Sequence, residues 1–235
     1  MSGYESVSKV YDSVAGESAK LFVPFILKSV KKYRPESQSI LELGCGTGNI
    51  LVELSKRYET YGLDLSPEML EIAKRKDKKS VYKQGDMSDF DFGRKFDVIC
   101  CMYDSINHLP SLNHWKRMFD CCFRHLVDGG LLIFDFNTLY AFSSKAERPA
   151  TYVRAGNDYV LLDITAKRDM CTWHFNIFKK EKDVYKLFSE DIIERSYELS
   201  KIKEKLKDFK ILDFVDEDGK TPSLKTTRVF AVCRK

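Results

Sequence analysis

The nine residues Ile40 to Gly48, Ile-Leu-Glu-Leu-Gly-Cys-Gly-Thr-Gly, constrain this chain more than any other stretch. A short apolar run ends in an acid and then breaks into glycines at 44, 46 and 48. Glycine tolerates positive φ and lets the backbone come close to a ligand that a side chain would push away. The following segment, Asn49 to Tyr58, reads as a helix, so a loop of exposed N–H groups is expected at a helix start. The unit is therefore expected to hold a nucleotide-like cofactor. Taken alone, the same glycines also suit a bare strand-to-helix turn.

Two features separate the candidate cofactors. A dinucleotide fingerprint, Gly-x-Gly-x-x-Gly, needs its third glycine at position 49, which is asparagine here. Glu42 stands just before the first glycine. A carboxylate there suits the ammonium and sulfonium of S-adenosylmethionine and would repel a pyrophosphate. Twenty residues after Gly44, the strand Thr60 to Leu63 ends in Asp64, a spacing that suits a carboxylate bonded to ribose hydroxyls. Ser66-Pro67 then reads as an N-cap followed by proline at the first helical position. A third strand, Ser80 to Gln84, runs into Gly85-Asp86-Met87, where the acid can accept from an adenine amino group and Met87 can pack on the ring. A fourth strand, Phe96 to Cys101, ends in Met102-Tyr103-Asp104-Ser105-Ile106-Asn107-His108. In an open α/β sheet, consecutive strand ends share one crevice. Asp64 or Asp86 alone reads equally well as a solvated strand end or turn residue; three acids in register with the glycine loop do not.

Glu42-Leu-Gly-Cys-Gly-Thr-Gly48, Gly62-Leu-Asp-Leu-Ser-Pro67, Gln84-Gly-Asp-Met87, Phe96-Asp-Val-Ile99 and Leu126-Val-Asp-Gly-Gly-Leu-Leu-Ile-Phe134 together resemble the class I S-adenosylmethionine-dependent methyltransferases. The stretch Cys101 to Leu109 is similar to a branch acting on small molecules, including sugar N-methyltransferases. The resemblance implies a Rossmann-like α/β fold with a seven-stranded, mostly parallel sheet. It also implies S-adenosylmethionine as cofactor, S-adenosylhomocysteine as product and a small-molecule amine or hydroxyl as acceptor. It carries Glu42, Gly44, Cys45, Gly46, Gly48, Asp64, Leu65, Asp86, Met87, Cys101 and Met102 to the cofactor. His108 matches the place of a catalytic base, and reads equally as a surface histidine capping the helix that starts near Ser111. Asp104 is expected to orient or charge-pair with a cationic acceptor. Tyr11, in a segment Tyr4 to Asp12 that the resemblance makes a lid, is expected at the cofactor carboxylate or the acceptor; an anchoring aromatic is the plainer reading.

The expected organisation is a helical lid over 1–36, a cofactor-binding core over 37–137, a β-rich insertion over 138–197, and a C-terminal helix with two last strands over 198–235. Pro24 is expected to kink or split the helix Ser18 to Tyr33. Leu112 to Leu126 is amphipathic, with Leu112, Trp115, Phe119, Cys122 and Leu126 on one face. Asp128-Gly129-Gly130 should close it ahead of a buried strand, Leu131 to Phe136. In the insertion, Tyr159 to Lys167, Cys171 to Lys179 and Val184 to Glu194 read as an antiparallel sheet that either roofs the site or forms a homodimer contact. Tyr152, Tyr159, Trp173 and Phe175 are candidate pocket walls, and His174 is a second candidate base.

The 235 residues suit one domain with an insertion. No apolar run reaches the roughly 20 residues of a membrane span. The seven cysteines lack Cys-x-x-Cys spacing, so neither a metal site nor a disulfide framework is expected, and the compartment reads as cytoplasmic. A net charge of +4 from interspersed lysines and acids does not call for a nucleic acid partner. Other readings are a non-catalytic cofactor-binding subunit, an NAD-linked oxidoreductase, and a metal-assisted O-methyltransferase using Asp104, Asp135 and Asn137.

Overall fold

The computed structural model describes residues 7–15 and 18–235. Residues 4–6 of the expected lid therefore lie outside the described residues. A 3-10 turn at Val7–Lys9 leads into α1 (Tyr11–Ala15), and α2 (Ser18–Tyr33) follows. Helix α2 continues as one helix through Pro24, which sits on its exposed side, where the missing N–H costs least.

The first half of the chain then alternates strand and helix: β1 (Ser39–Leu43), α3 (Asn49–Leu54), β2 (Glu59–Asp64), α4 (Pro67–Lys76), β3 (Val81–Gln84) and β4 (Phe96–Cys101). Next come a 3-10 turn at Ser105–His108, α5 (Leu112–His125) and β5 (Leu126–Asn137). Helix α3 is shorter than its sequence pattern: Ser55 bonds back to the Val52 carbonyl, and a turn carries the chain into β2. The helix at 67 starts as read, with Ser66 Oγ accepting from Met69 N at 3.2 Å. Asp128-Gly129-Gly130 is not a loop. β5 begins at Leu126, and the extra residues form a bulge where pairing with β4 shifts from Phe96↔Leu126 to Val98↔Leu131, with Gly129 at φ +74°.

The remainder comprises α6 (Leu139–Ala146), β6 (Thr151–Ala155), β7 (Asp158–Lys167), β8 (Met170–Glu181), β9 (Val184–Arg195), α7 (Leu199–Lys205), β10 (Lys210–Val215) and β11 (Arg228–Arg234). Strands β6 to β9 form a four-stranded antiparallel meander, with β9 at one edge. The other seven make one sheet in the order β10-β11-β5-β4-β1-β2-β3, in which β11 runs antiparallel to its neighbours and the pairs from β5 to β3 are parallel.

Apolar side chains cover both faces of this sheet. On one, Trp115 and Phe119 of α5 lie against Phe136 and Phe134 of β5, at centroid distances of 5.6 and 5.3 Å. On the other, Phe22, Ile26 and Val30 of α2 cover Ile40, Val98 and Ile133. The meander buries Val160, Phe175, Ile177 and Ile192 against Val7 and Val10, so the N-terminal turn belongs to the core beneath the roof. None of the described helices is long and apolar enough to cross a membrane. Phe134 is fully buried at the centre of the larger cluster. Phe134→Ala is expected to cost about 3–5 kcal/mol in urea unfolding, transfer and cavity terms together.

Candidate active site

β1 feeds directly into the glycine loop, where Gly44, Gly46 and Gly48 take φ of +65°, +51° and +78°. A Cβ on Gly44 would lie 2.7 Å from Ser105 Cβ, so the loop and the turn after β4 approach through bare backbone. A Cβ on Gly46 would meet only Tyr11, at 3.9 Å. Gly48 is different: its Cβ would strike Ala73 and Tyr82 at 3.0 and 3.1 Å, and it starts α3 without lining the cleft.

Asp64, at the end of β2, accepts from Gly46 N at 2.7 Å and from Ser66 N at 2.9 Å, which ties the loop to the next strand. Burial pushes its carboxyl up, against the pull of these N–H donors. Glu42 is 3% exposed, and its Oε2 has no hydrogen-bond partner among the described residues. Burial, and then the charge of Asp64, hold Glu42 well above the ordinary carboxylate range. From the N-terminal side, Asp12 accepts from Thr47 Oγ1 at 2.7 Å and Asn49 Nδ2 at 3.1 Å and pairs with Lys76 at 2.5 Å, which fastens α1 across the loop.

After β4 the chain makes an uncommon turn, with Tyr103 and Asp104 both at positive φ (+58° and +52°). The Asp135 carboxylate at the end of β5 holds it, accepting from Tyr103 N at 2.6 Å and Asp104 N at 3.1 Å. Arg228, opening β11, bridges Asp135 and Asp104 (2.6 Å to Asp104 Oδ1) and reaches Asn137 Oδ1 at 3.2 Å. Asp104, Asp135 and Asn137, three oxygen donors suited to a hard cation, thus share a guanidinium. Asn137 Nδ2 donates to Glu194 at 3.0 Å, and Asn107 Nδ2 donates to the carbonyls of Asn137 and Arg195 at 3.1 and 2.8 Å. Burial pushes Asp135 up to about 6 and Glu194 up to about 8, with the Asp104 charge adding to both.

A cleft of about 390 Å³ opens where these strand ends meet. Its floor is Gly44, Gly46, Asp64, Leu65, Asp86 and Met87, and its far wall is Tyr103, Ser105 and His108. Tyr11 closes one side and Asp191 to Ile193 of β9 the other. A recess of about 30 Å³ beside it contains Glu42, Cys45 and Met102. Of the residues singled out by sequence, Cys101, Asp104 and Gly48 do not line either space. Cys101 is fully buried, and Asp104 faces Arg228. Tyr152, Tyr159, Trp173 and Phe175 do not wall the cleft either; Tyr152 is 73% exposed, and Phe175 is buried in the roof's inner layer. His174 bonds Asp191 at 2.8 Å and Thr165 at 2.9 Å and reaches the cleft only through Asp191. Asp12, Asp191, Glu194 and Arg228 carry no local motif that sequence alone could single out, and Asp135, a candidate metal ligand by sequence, holds the turn after β4 instead.

The residues fit S-adenosylmethionine. Asp64, Asp86 and Asp191 line the cleft, and among its described lining residues there is no lysine or arginine. Such a space favours a cation over a pyrophosphate, and the unpartnered Glu42 oxygen offers a buried acceptor to an ammonium.

Glu194 also makes stability depend on pH. Its carboxyl sits above its unfolded value, so its contribution is complete below about 4.5 and is lost as pH rises towards about 8. Glu194→Gln removes this slope. Urea midpoints at pH 5 and pH 9 should therefore fall less in the variant than in the parent.

The methyltransferase domain family matches residues 40–130. An S-adenosylmethionine-dependent methyltransferase from Clostridium acetobutylicum ATCC 824 superposes with a TM-score of 0.86 at 28% identity, covering 98% of both chains. The chain is 30% identical over 185 residues to a carboxy-S-adenosyl-L-methionine synthase of Campylobacter jejuni subsp. doylei, covering 70% of this chain and 74% of that protein. It is 35% identical over 105 residues to the dTDP-3-amino-3,6-dideoxy-alpha-D-glucopyranose N,N-dimethyltransferase of Streptomyces fradiae, covering 44% of this chain and 41% of that one. With the matched domain, the full-length structural likeness and a cleft suited to the same cationic cofactor, the chain belongs to the S-adenosylmethionine-dependent methyltransferases.

Proposed function

We propose that this enzyme methylates an amine of a small, hydroxyl-rich molecule. The observation that carries the reading is the sign of the cleft: its acidic residues and its imidazole face one space with no lysine or arginine among the described lining residues. When bound, S-adenosylmethionine supplies a methyl group already activated by the sulfonium. Glu42, the Gly44–Gly46 backbone, Asp64, Asp86 and Met87 would hold it, with Cys45, Leu65 and Met102 beside it. Tyr103, His108 and Asp191 face the acceptor, and Tyr11 lies between the two. The chain's main contribution is orientation, holding a nucleophile in line at about 3 Å.

An amine nucleophile must lose a proton. Burial lowers the His108 imidazole below its ordinary value, against the charge of Asp104 and a bond to the Ile193 carbonyl, so the ring is neutral and basic near pH 7. Asp191, pinned by His174, is a carboxylate available to an ammonium or to hydroxyls. The Streptomyces fradiae relative, which by name dimethylates an amino sugar, supports the amine reading. The carboxy-S-adenosyl-L-methionine synthase likeness supports a second reading, formation of a carboxylated cofactor. An anionic co-substrate suits this cleft less well.

Calorimetry with S-adenosylhomocysteine, with NADH as control, tests the cofactor site: the parent binds the homocysteine product and Asp64→Ala loses at least tenfold in affinity. No binding by the parent at millimolar ligand overturns the reading. With an amino sugar that carries no phosphate as acceptor, Asp191→Asn should raise the acceptor KM about 10-fold or more, the worth of a charged hydrogen bond, and leave the KM for S-adenosylmethionine unchanged.

A further inference from the structure

His108 does not stand alone at the cleft wall. Carboxylate oxygens of Asp104 and Glu194 and a ring nitrogen of His108 all lie within 4.8 Å of one another. The three come from different elements: Asp104 and His108 flank the turn after β4, while Glu194 descends from the roof strand β9. Glu194 is 2% exposed and is fixed from behind by Asn137 Nδ2. Asp104 is fixed by Arg228. Each acid is thus held on its far side by a donor, which leaves the cluster rigid behind the ring. Among the described residues, Asp104, Asp135 and Glu194 outnumber the cations that act on them: Arg228 bridges Asp104 and Asp135, and the charge of Lys145 acts on Glu194. Buried carboxylates in such excess bind a proton more readily than carboxylates in water.

We propose that Glu194 is a positioning residue for His108, forming with Asp104 a carboxylate pair that shares the proton His108 takes up from the acceptor. This rests on His108 being the base. The acceptor nitrogen's lone pair would form the bond to the methyl carbon as the carbon–sulfur bond breaks, its electron pair staying on sulfur of the departing S-adenosylhomocysteine, and the nitrogen would give up one N–H proton. That proton goes to the imidazole, the cluster behind the ring absorbs the added positive charge, and one proton later leaves to solvent. A site so built serves an acceptor that gives up a proton, such as an amine or hydroxyl, and has no task for a thioether nucleophile that has none to give. Tyr11, Tyr103, Asp64, Asp86 and Asp191 line the same cleft as the ring, and behind it the charge of Lys145 favours the ionised form of Glu194. Glu194 and Asp104 do not line the cleft and act through His108.

The test is nitrogen-15 NMR of the imidazole from pH 5 to 9.5 on the protein saturated with S-adenosylhomocysteine. The chain has four histidines, and His108→Gln identifies the signal. In the parent, the His108 signal should move in two steps, the upper one near pH 8, where Glu194 ionises. In Glu194→Gln, which keeps shape and removes the charge, the upper step should vanish, leaving a single titration below the ordinary histidine value. Glu194→Asp should keep two steps, displaced. A single step in the parent, unchanged in Glu194→Gln with S-adenosylhomocysteine binding intact, overturns the proposal. Because this readout needs no acceptor, failure of methyl transfer would sink the His108 reading separately. Where transfer is observed, Glu194→Gln should lower kcat at pH 8 about tenfold or more with the S-adenosylmethionine KM unchanged; an unaltered kcat also overturns the proposal.

Discussion

Arg228 and the acids around it make the cleft's far wall possible. Two consecutive non-glycine residues at positive φ are costly, on the order of 1–3 kcal/mol each. Tyr103 and Asp104 persist there because Asp135 takes both of their amide protons and Arg228 neutralises Asp135 and Asp104 together. The turn in turn brings Ser105 against bare Gly44 and sets His108 into the cleft. A guanidinium at the first residue of the last strand thus shapes the end of the fourth, more than a hundred positions earlier.

Charge also organises the opposite side. Asp64 is partly spent on the chain itself, since its carboxylate receives amides from Gly46 and Ser66. It builds the loop as well as lining the cleft. Glu42 has the reverse character, a buried oxygen with no partner among the described residues. One acid supports the architecture and the other holds binding potential in reserve, and the strand order alone places both at the same edge.

Local patterns made most of the core readable. Apolar runs at β1 and β4, the Ser66-Pro67 cap and the helical stripe of α5 each announce an element within its own residues. The seven-stranded order followed from their succession and from the family resemblance. What stayed hidden depends on pairs far apart in sequence. The Gly129-Gly130 bulge looks like a loop until β4 is laid beside it. β6 and α6 carry weak periodicity and exist because the roof gives them something to pack on. Asp104 was read as facing an acceptor, yet an arginine 124 positions away turns it inward. The aromatic residues of the insertion looked like walls because side-chain direction in a strand depends on which face is covered, and here the N-terminal turn covers it.

The roof strand β9 has a double allegiance. Residues 191 to 193 look into the cleft, while Glu194 and the Arg195 carbonyl are bonded into the polar centre beneath it. The part that meets a foreign molecule is therefore not a detachable module. A graft that exchanged the whole insertion to change what the enzyme accepts would also remove an anchor of the Asn107–Asn137 junction. Recombination at this strand is tolerable only on its outer side, before residue 191, and new acceptor preferences are more accessible by altering single positions on an otherwise retained ribbon.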